Sequence, residues 1–219
     1  YEIASCLVGS EMCIRDREVS AMNKDILICG VGGQGTVLAS KLLAASAMAE
    51  GNTVHSAETI GMAQRGGSVT SHVRIGERAF SPLIPQGAAD LLMAFEPAEA
   101  VRNLSYLKEG GLVLVNTAAV KPTTESICDT GYDGAKMLDY LEKKCHCIRV
   151  DADSVCREFG SQRYFNVVML GVAIGTGIFD IPAQTVTKEI LNRVPERFAD
   201  INLKAFETGR QIGGTYAAK

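Results

Sequence analysis

Tryptophan is absent from this chain, and aromatic residues make up only 6% of it. Packing between helices and sheet is therefore left to Ala, Val, Leu and Ile. Histidine occurs only at His55, His72 and His146, and none accompanies a nucleophile motif such as G-x-S-x-G. No stretch of about 18 or more uncharged apolar residues occurs, which excludes a membrane-spanning helix. Excess positive charge is also missing. The net charge is −3, so neither nucleic acid nor an anionic membrane is an expected partner. Cysteines are scattered, as expected of a reducing, cytoplasmic compartment. Cys145-His146-Cys147 is the only tight group, and no second cysteine pair stands at metal-ligand spacing. A structural strand end is therefore favoured there over a metal site.

What remains is a globular composition, 47% hydrophobic and 21% charged over 219 residues. The first 21 residues stand apart. They begin without Met, show no lasting periodicity, and include Cys6-Leu-Val-Gly-Ser-Glu-Met-Cys-Ile-Arg-Asp-Arg17, which resembles translated adaptor sequence. Residues 1–21 are expected to be a non-native, disordered leader, Met22 the natural start, and 22–219 one domain.

The most informative stretch is Asp25-Ile-Leu-Ile-Cys-Gly-Val-Gly-Gly-Gln-Gly-Thr36. A strand over 25–30 runs into a glycine-rich turn and then a helix from Gln34 to Glu50. Gly30, Gly32 and Gly35 satisfy G-x-G-x-x-G. Gly30 suits the tight exit from the strand, Gly32 close approach of a ligand or chain, and Gly35 close packing of helix on strand. The helix start offers free N–H groups to an anion. Thr36 stands where a Walker lysine would be needed, so the loop is not a Walker A motif.

Further strands are expected at Thr53–Ala57, Ser68–Ile75, Asp90–Phe95, Leu112–Asn116 and His146–Val150. Glu58–Gly67 reads as an exposed loop, and Ala79–Ser81 as the return arm of a hairpin. A helix opened by Glu96-Pro97 should end at Gly110-Gly111. Pro122–Tyr132 is loose and polar, and a helix follows at Ala135–Lys144. The last third reads as helices at Asp153–Phe159, Asn166–Phe179, Pro182–Val194 and Pro195–Gly209. Small residues in Asn166–Phe179 suit close helix–helix approach in a core or a subunit seam. The fold class is α/β: Rossmann-like, a mostly parallel sheet flanked by helices, with a hairpin and a helical C-terminal third.

Two binding features emerge, but no catalytic machine. Glu58 lies 23 residues after Gly35, near the spacing at which an acid holds a dinucleotide ribose. Gly61-Met-Ala-Gln-Arg-Gly-Gly67 places Arg65 on a glycine-flanked loop, suited to carboxylate, phosphate or a docking partner. Gly131-Tyr-Asp-Gly134 is no thiamine-diphosphate motif, because it lacks Gly-Asp-Gly and precedes a helix. Such a chain suits the non-catalytic subunit of a larger enzyme.

Gly30-Val-Gly-Gly-Gln-Gly35, Glu58-Thr-Ile-Gly-Met-Ala-Gln-Arg-Gly-Gly-Ser-Val69 and Val73-Arg-Ile-Gly76 resemble the gamma-type domain of 2-oxoacid:ferredoxin oxidoreductases. Ser81-Pro-Leu-Ile84 and Ala94-Phe-Glu-Pro-Ala-Glu-Ala100 narrow the resemblance to the beta subunits of the indolepyruvate-acting group, and Asn202-Leu-Lys-Ala-Phe-Glu-Thr-Gly209 resembles the family's terminal helix. It extends over about Met22 to Gly209. The resemblance implies a complex that converts arylpyruvates to acyl-coenzyme A, carbon dioxide and reduced ferredoxin. It places thiamine diphosphate and iron–sulfur clusters in a large alpha subunit, and makes ferredoxin an indirect partner. It implies no catalytic residue and no metal on this chain. Gly32, Gly33, Gln34, Gly35 and Thr36, with Gln64, Arg65, Gly66 and Gly67, are then expected to form one edge that meets the alpha subunit, with coenzyme A at the seam. The alternatives are a gamma subunit acting on pyruvate, 2-oxoglutarate or branched-chain 2-oxoacids, and a free-standing NAD(P)-binding oxidoreductase.

Overall fold

The computed structural model describes residues 22–60, 66–121 and 131–217. The leader expected at 1–21 lies outside them, as do 122–130 of the loose stretch.

Strand β1 (Lys24–Val31) leads through the glycine turn into α1 (Thr36–Ala49). Then come β2 (Val54–Ile60), β3 (Ser68–Ile75), β4 (Ala89–Ala94) and the short α2 (Pro97–Arg102). A 3₁₀ turn at Leu104–Tyr106 precedes β5 (Leu107–Asn116), followed by α3 (Gly134–Lys144) and β6 (His146–Val150). The chain ends in α4 (Ala152–Glu158), α5 (Phe165–Gly175), α6 (Ala183–Arg193) and α7 (Ala199–Ala217).

The sheet order is β2-β3-β1-β4-β5-β6. Strand β3 runs antiparallel to both neighbours, and the pairs β1–β4, β4–β5 and β5–β6 are parallel. The period of two along each strand divides the core. Ile26, Ile28, Leu91, Met93 and Leu114 face the layer that holds α1, α5, α6 and α7. Leu27, Cys29, Leu92, Ala94 and Val113 face the layer of α2 and α3. Because β1 is followed by a helix on one face and β4 by a helix on the other, a crevice opens between their carboxyl ends. That is where open α/β sheets bind ligands.

Helix α5 is buried from Phe165 to Ile174, with glycine at Gly171 and Gly175. A Cβ on Gly171 would lie 3.1 Å from Gly209 Cα, and one on Gly175 would lie 3.0 Å from Gly213 Cα. The expected close helix–helix approach is therefore to α7.

Several expected boundaries move for identifiable reasons. Strand β2 continues through Glu58 to Ile60, because Glu58, Thr59 and Ile60 pair with Ser71, Thr70 and Val69 of β3. Ala79–Ser81 is not a strand. Instead, Arg74 donates from Nη1 to the carbonyls of Ser81 (3.1 Å) and Leu83 (3.3 Å), making 81–83 a strap under β3. Helix α2 stops at Arg102 because the Asn103 side chain donates to the Glu99 carbonyl at 2.9 Å and turns the chain. Gly110 and Gly111 lie inside β5, where the register against β4 shifts between Ala89↔Leu107 and Leu91↔Leu112. Helix α5 ends at Gly175, and Gly177 follows at φ 73°. Helix α7 starts at Ala199 and runs eight residues past Gly209 to Ala217, because Gly209 and Gly213 are buried contacts with α5.

Candidate functional site

The glycine turn is closed from within. Gln34 N–H donates to the Val31 carbonyl at 3.1 Å. The Gln34 side chain then spans the switch point: its Oε1 accepts from Val31 N–H at 2.7 Å, and its Nε2 donates to the Phe95 carbonyl at 3.2 Å. The ends of β1 and β4 are thus joined by one amide. Gly30 leaves room for it, since a Cβ there would lie 2.8 Å from Gln34 Oε1 and 2.9 Å from Phe95 Cβ. Gly35 is the N-cap of α1 at φ 83°, and among the described residues no side chain caps that helix start. Its tight neighbour is Asn166 of α5, not the preceding strand, which corrects the reason inferred from the motif. Thr36, 3% exposed, is buried in the first turn.

The second loop meets the first. Gly32 N–H donates to the Gly67 carbonyl at 2.8 Å, and Gly66 N–H returns to the Gly32 carbonyl at 3.3 Å. The structure therefore places Gly32, Gly33, Gln34, Gly35, Thr36, Gly66 and Gly67 together at the carboxyl edge of the sheet. Gln64 and Arg65 lie outside the described residues.

Beyond Gly67 the chain is pinned by the buried carboxylates of Glu96 and Glu99, which belong to the Ala94–Ala100 stretch but had no site role expected of them. Ser68 Oγ donates to Glu99 Oε2 at 2.6 Å, and Arg102 pairs with the other oxygen of Glu99. Glu96 is 1% exposed and caps α2 by accepting from Glu99 N–H at 3.0 Å. Tyr132 hydroxyl donates to the second Glu96 oxygen, and burial followed by this carboxylate raises the Tyr132 pKa. Cys29, beneath this pair, is raised well above the ordinary thiol range, first by burial and then by Glu99 and Glu96. It is a neutral core thiol. On the other side of the turn, a cavity of about 340 Å³ lies between the glycine loop and the start of α5. Asn116, Asp153, Arg163 and Asn166 reach it. Only the Asn-Val-Val run that opens the buried helix hinted at this wall in the sequence.

Glu58 does not reach the turn. It is exposed on β2, and β3 intervenes between β2 and β1. The ribose acid expected from spacing is therefore displaced by strand order, which removes the support for dinucleotide binding. At the opposite end of the sheet, Cys145 Sγ donates to the Leu141 carbonyl at 3.1 Å. Burial, then Cys145 and Glu142, pushes the Cys147 thiol up to about 12. That favours the protonated form, whereas a metal ligand must be thiolate. Among the described residues, no group of three His, Cys, Asp or Glu converges to hold a metal.

The family model for pyruvate ferredoxin/flavodoxin oxidoreductase matches residues 25–212. The chain belongs to this family. Within the pyruvate ferredoxin/flavodoxin oxidoreductases it is similar to the indolepyruvate oxidoreductase subunit IorB of Pyrococcus horikoshii. The identity is 36% over 188 residues, covering 84% of this chain and 93% of the relative. The IorB of Archaeoglobus fulgidus is 38% identical over 190 residues, covering 86% and 94%. Among solved structures, the gamma subunit of a keto/oxoacid ferredoxin oxidoreductase from Geobacter sulfurreducens aligns with a TM-score of 0.64 at 25% identity, over 88% of this chain and 99% of that one. The pyruvate oxidoreductase subunit PORC of Thermotoga maritima aligns with a TM-score of 0.66 at 25% identity, over 86% and 96%. The mixed α/β fold is that of these gamma subunits.

Proposed function

We propose that this chain is the small, non-catalytic subunit of a complex that oxidatively decarboxylates arylpyruvates, indolepyruvate among them, to acyl-coenzyme A while reducing ferredoxin. The observation that carries this reading is the cross-bonded pair of loops at the carboxyl edge, Gly32 with Gly66 and Gly67. It presents a preformed binding surface on a chain matched over nearly its whole length by proteins named as subunits. Indolepyruvate is favoured over pyruvate or branched-chain 2-oxoacids by the identities. The pyruvate/ketoisovalerate common gamma subunit of Thermococcus litoralis is 30% identical, below the 36% and 38% of the IorB relatives.

The complex works in the cytoplasm. A large partner subunit holds thiamine diphosphate and the iron–sulfur clusters, and passes electrons to ferredoxin. Gly32, Gly33, Gln34, Gly35 and Thr36, with Gln64, Arg65, Gly66 and Gly67, form the edge that meets it, and coenzyme A lies at that seam. The fit to coenzyme A rests on the α1 start, which no side chain caps among the described residues and which offers N–H donors to phosphate.

Co-expression with the large subunit from the same genome tests the reading. Viologen reduction by indolepyruvate, dependent on coenzyme A, should need both chains. Full activity of the large subunit alone, or none from a verified complex with any 2-oxoacid, would overturn it.

A further inference from the structure

Strand β2 forms one outer edge of the sheet, and β3 occupies only its inner side. The ladder decides which backbone groups face out. Gly76 N–H donates to the Thr53 carbonyl at 2.8 Å, and the register sets Val54 opposite Ile75. In an antiparallel pair, bonded and non-bonded positions alternate. His55, Ala57 and Thr59 therefore spend their N–H and C=O groups on β3. Val54, Ser56 and Glu58 turn theirs outward, where nothing among the described residues bonds them. Ser56, Glu58 and Thr59 are exposed. Open edges invite strand pairing, and proteins guard them with lysine, proline, bulges or short strands. The opposite edge is guarded: β6 is five residues long and carries Arg149, paired with Asp139 and Glu142. Strand β2 has no such guard. Val54–Ile60 keeps an unbroken register with β3, contains neither lysine nor proline, and carries one carboxylate, Glu58. The strand also suits pairing with itself. About a two-fold axis at Ala57, Ser56 of one copy opposes Glu58 of the other, and His55 opposes Thr59. Each outward-facing position then meets another outward-facing position, a hydroxyl meets the carboxylate, and no charge meets its like. An axis at Glu58 would set two carboxylates face to face, and one at Ser56 would set Val54 against Glu58.

We propose that the β2 edge is the seam between two copies of this chain, which pair antiparallel about a two-fold axis at Ala57 and join their sheets into one. Main-chain hydrogen bonds at Val54, Ser56 and Glu58 supply the contact, and the Ser56–Glu58 pair fixes the register. Strand β3 separates this flank from the glycine turn, so the seam is distinct from the edge proposed to meet the large subunit.

Sedimentation equilibrium of the full chain across the micromolar range tests the seam, and a reversible dimer is expected. Ser56→Pro removes an outward N–H that β3 does not use, and an edge strand tolerates proline there. It should weaken dimerisation about tenfold or more, since the two-fold axis repeats the loss. Ala57→Cys gives a second reading that does not depend on the proline variant. At a non-bonded antiparallel position the two Cα atoms lie about 4.5 Å apart, within reach of a disulfide. Mild oxidation should therefore link two copies through position 57, as mapped by peptide mass spectrometry. Thr59→Cys, which faces His55 in this register, should not link to itself. The proposal is overturned if the chain stays monomeric at high micromolar concentration, if Ser56→Pro dimerises like the parent, or if Thr59→Cys links in place of Ala57→Cys. It is also overturned if Ala57→Cys, co-expressed with the large subunit, links to that subunit instead of a second copy. The subunit assignment is judged separately by the two-chain activity assay.

Discussion

Replacing Gly209 by alanine should destabilise the chain, although alanine is the better helix former. A Cβ at Gly209 would lie 3.0 Å from the carbonyl carbon of Val168 and 3.1 Å from its Cα, with the Val168 oxygen closer still. These are backbone atoms of α5, so no rotamer change relieves the contact. Helix α5 must shift away from α7 along the seam built on Gly171, Gly175, Gly209 and Gly213. Overpacking of this kind costs about 1–3 kcal/mol, and an unmovable backbone argues for the upper part of that range. The helix-propensity gain of about 1 kcal/mol offsets part of it. The net loss is about 1–2 kcal/mol, or roughly 2–8 °C in melting temperature for a chain of this size. Gly214 provides an internal control. It sits on the same helix, is exposed, and a Cβ there meets nothing within 4 Å. Gly214→Ala should therefore stabilise by up to about 1 kcal/mol. Urea unfolding of both variants, with m-values compared, measures the pair. If Gly209→Ala proves as stable as Gly214→Ala, the α5–α7 contact is not as described.

Four other perturbations follow from the same structure. Gln34→Ala removes the partners of Val31 N–H and the Phe95 carbonyl; hydrogen exchange at Val31 should quicken and stability fall by about 1–2 kcal/mol. Arg74→Met leaves Asp25 without its 2.7 Å partner, the two side chains being 14% and 18% exposed, and frees the strap at Ser81 and Leu83. A loss of about 2–3 kcal/mol is expected by chemical denaturation, with part recovered by adding Asp25→Asn. The Cys147 thiol, raised from the ordinary 9.0 to about 12, favours the folded state fully below pH 9 and loses that contribution as pH rises to about 12. Cys147→Ala should flatten the alkaline decline of stability in that window, as read by urea midpoints across pH. Arg65→Ala should raise the apparent KM for coenzyme A in the two-chain assay or weaken assembly seen by complex mass; unchanged kinetics and mass would refute its place at the seam.

Much of the fold was legible because its signals are local. Buried apolar runs marked β1, β4 and β5, period-two alternation marked β3, and Glu96-Pro97 marked the start of α2. The ends were harder. Asn103, not Gly110-Gly111, terminates α2, because its side chain bonds back to the Glu99 carbonyl. Gly209 suggests a helix end by propensity, yet it continues α7 because α5 lies against it. The candidate site was legible in part. The glycine turn and Gly66-Gly67 stood out as motifs, whereas Asn166 and Arg163 carry no motif and reach the cavity only through the packing of α5 beside α1.

The sequence by itself determined the strand–glycine–helix unit, the buried strands of a mostly parallel sheet, the lack of a nucleophile motif, and membership of an oxoacid oxidoreductase family. Each depends on residues within a short window, where backbone geometry and side-chain period act directly. Only the tertiary structure decided that β3 lies between β2 and β1, which carries Glu58 away from the turn it was expected to serve. It also decided that Gln34 ties the ends of β1 and β4, and that two pairs of glycines, Gly171 and Gly175 on α5 with Gly209 and Gly213 on α7, bring two helix backbones into contact. Strand order and backbone approach arise from contacts between residues far apart in the chain, and no local propensity encodes them.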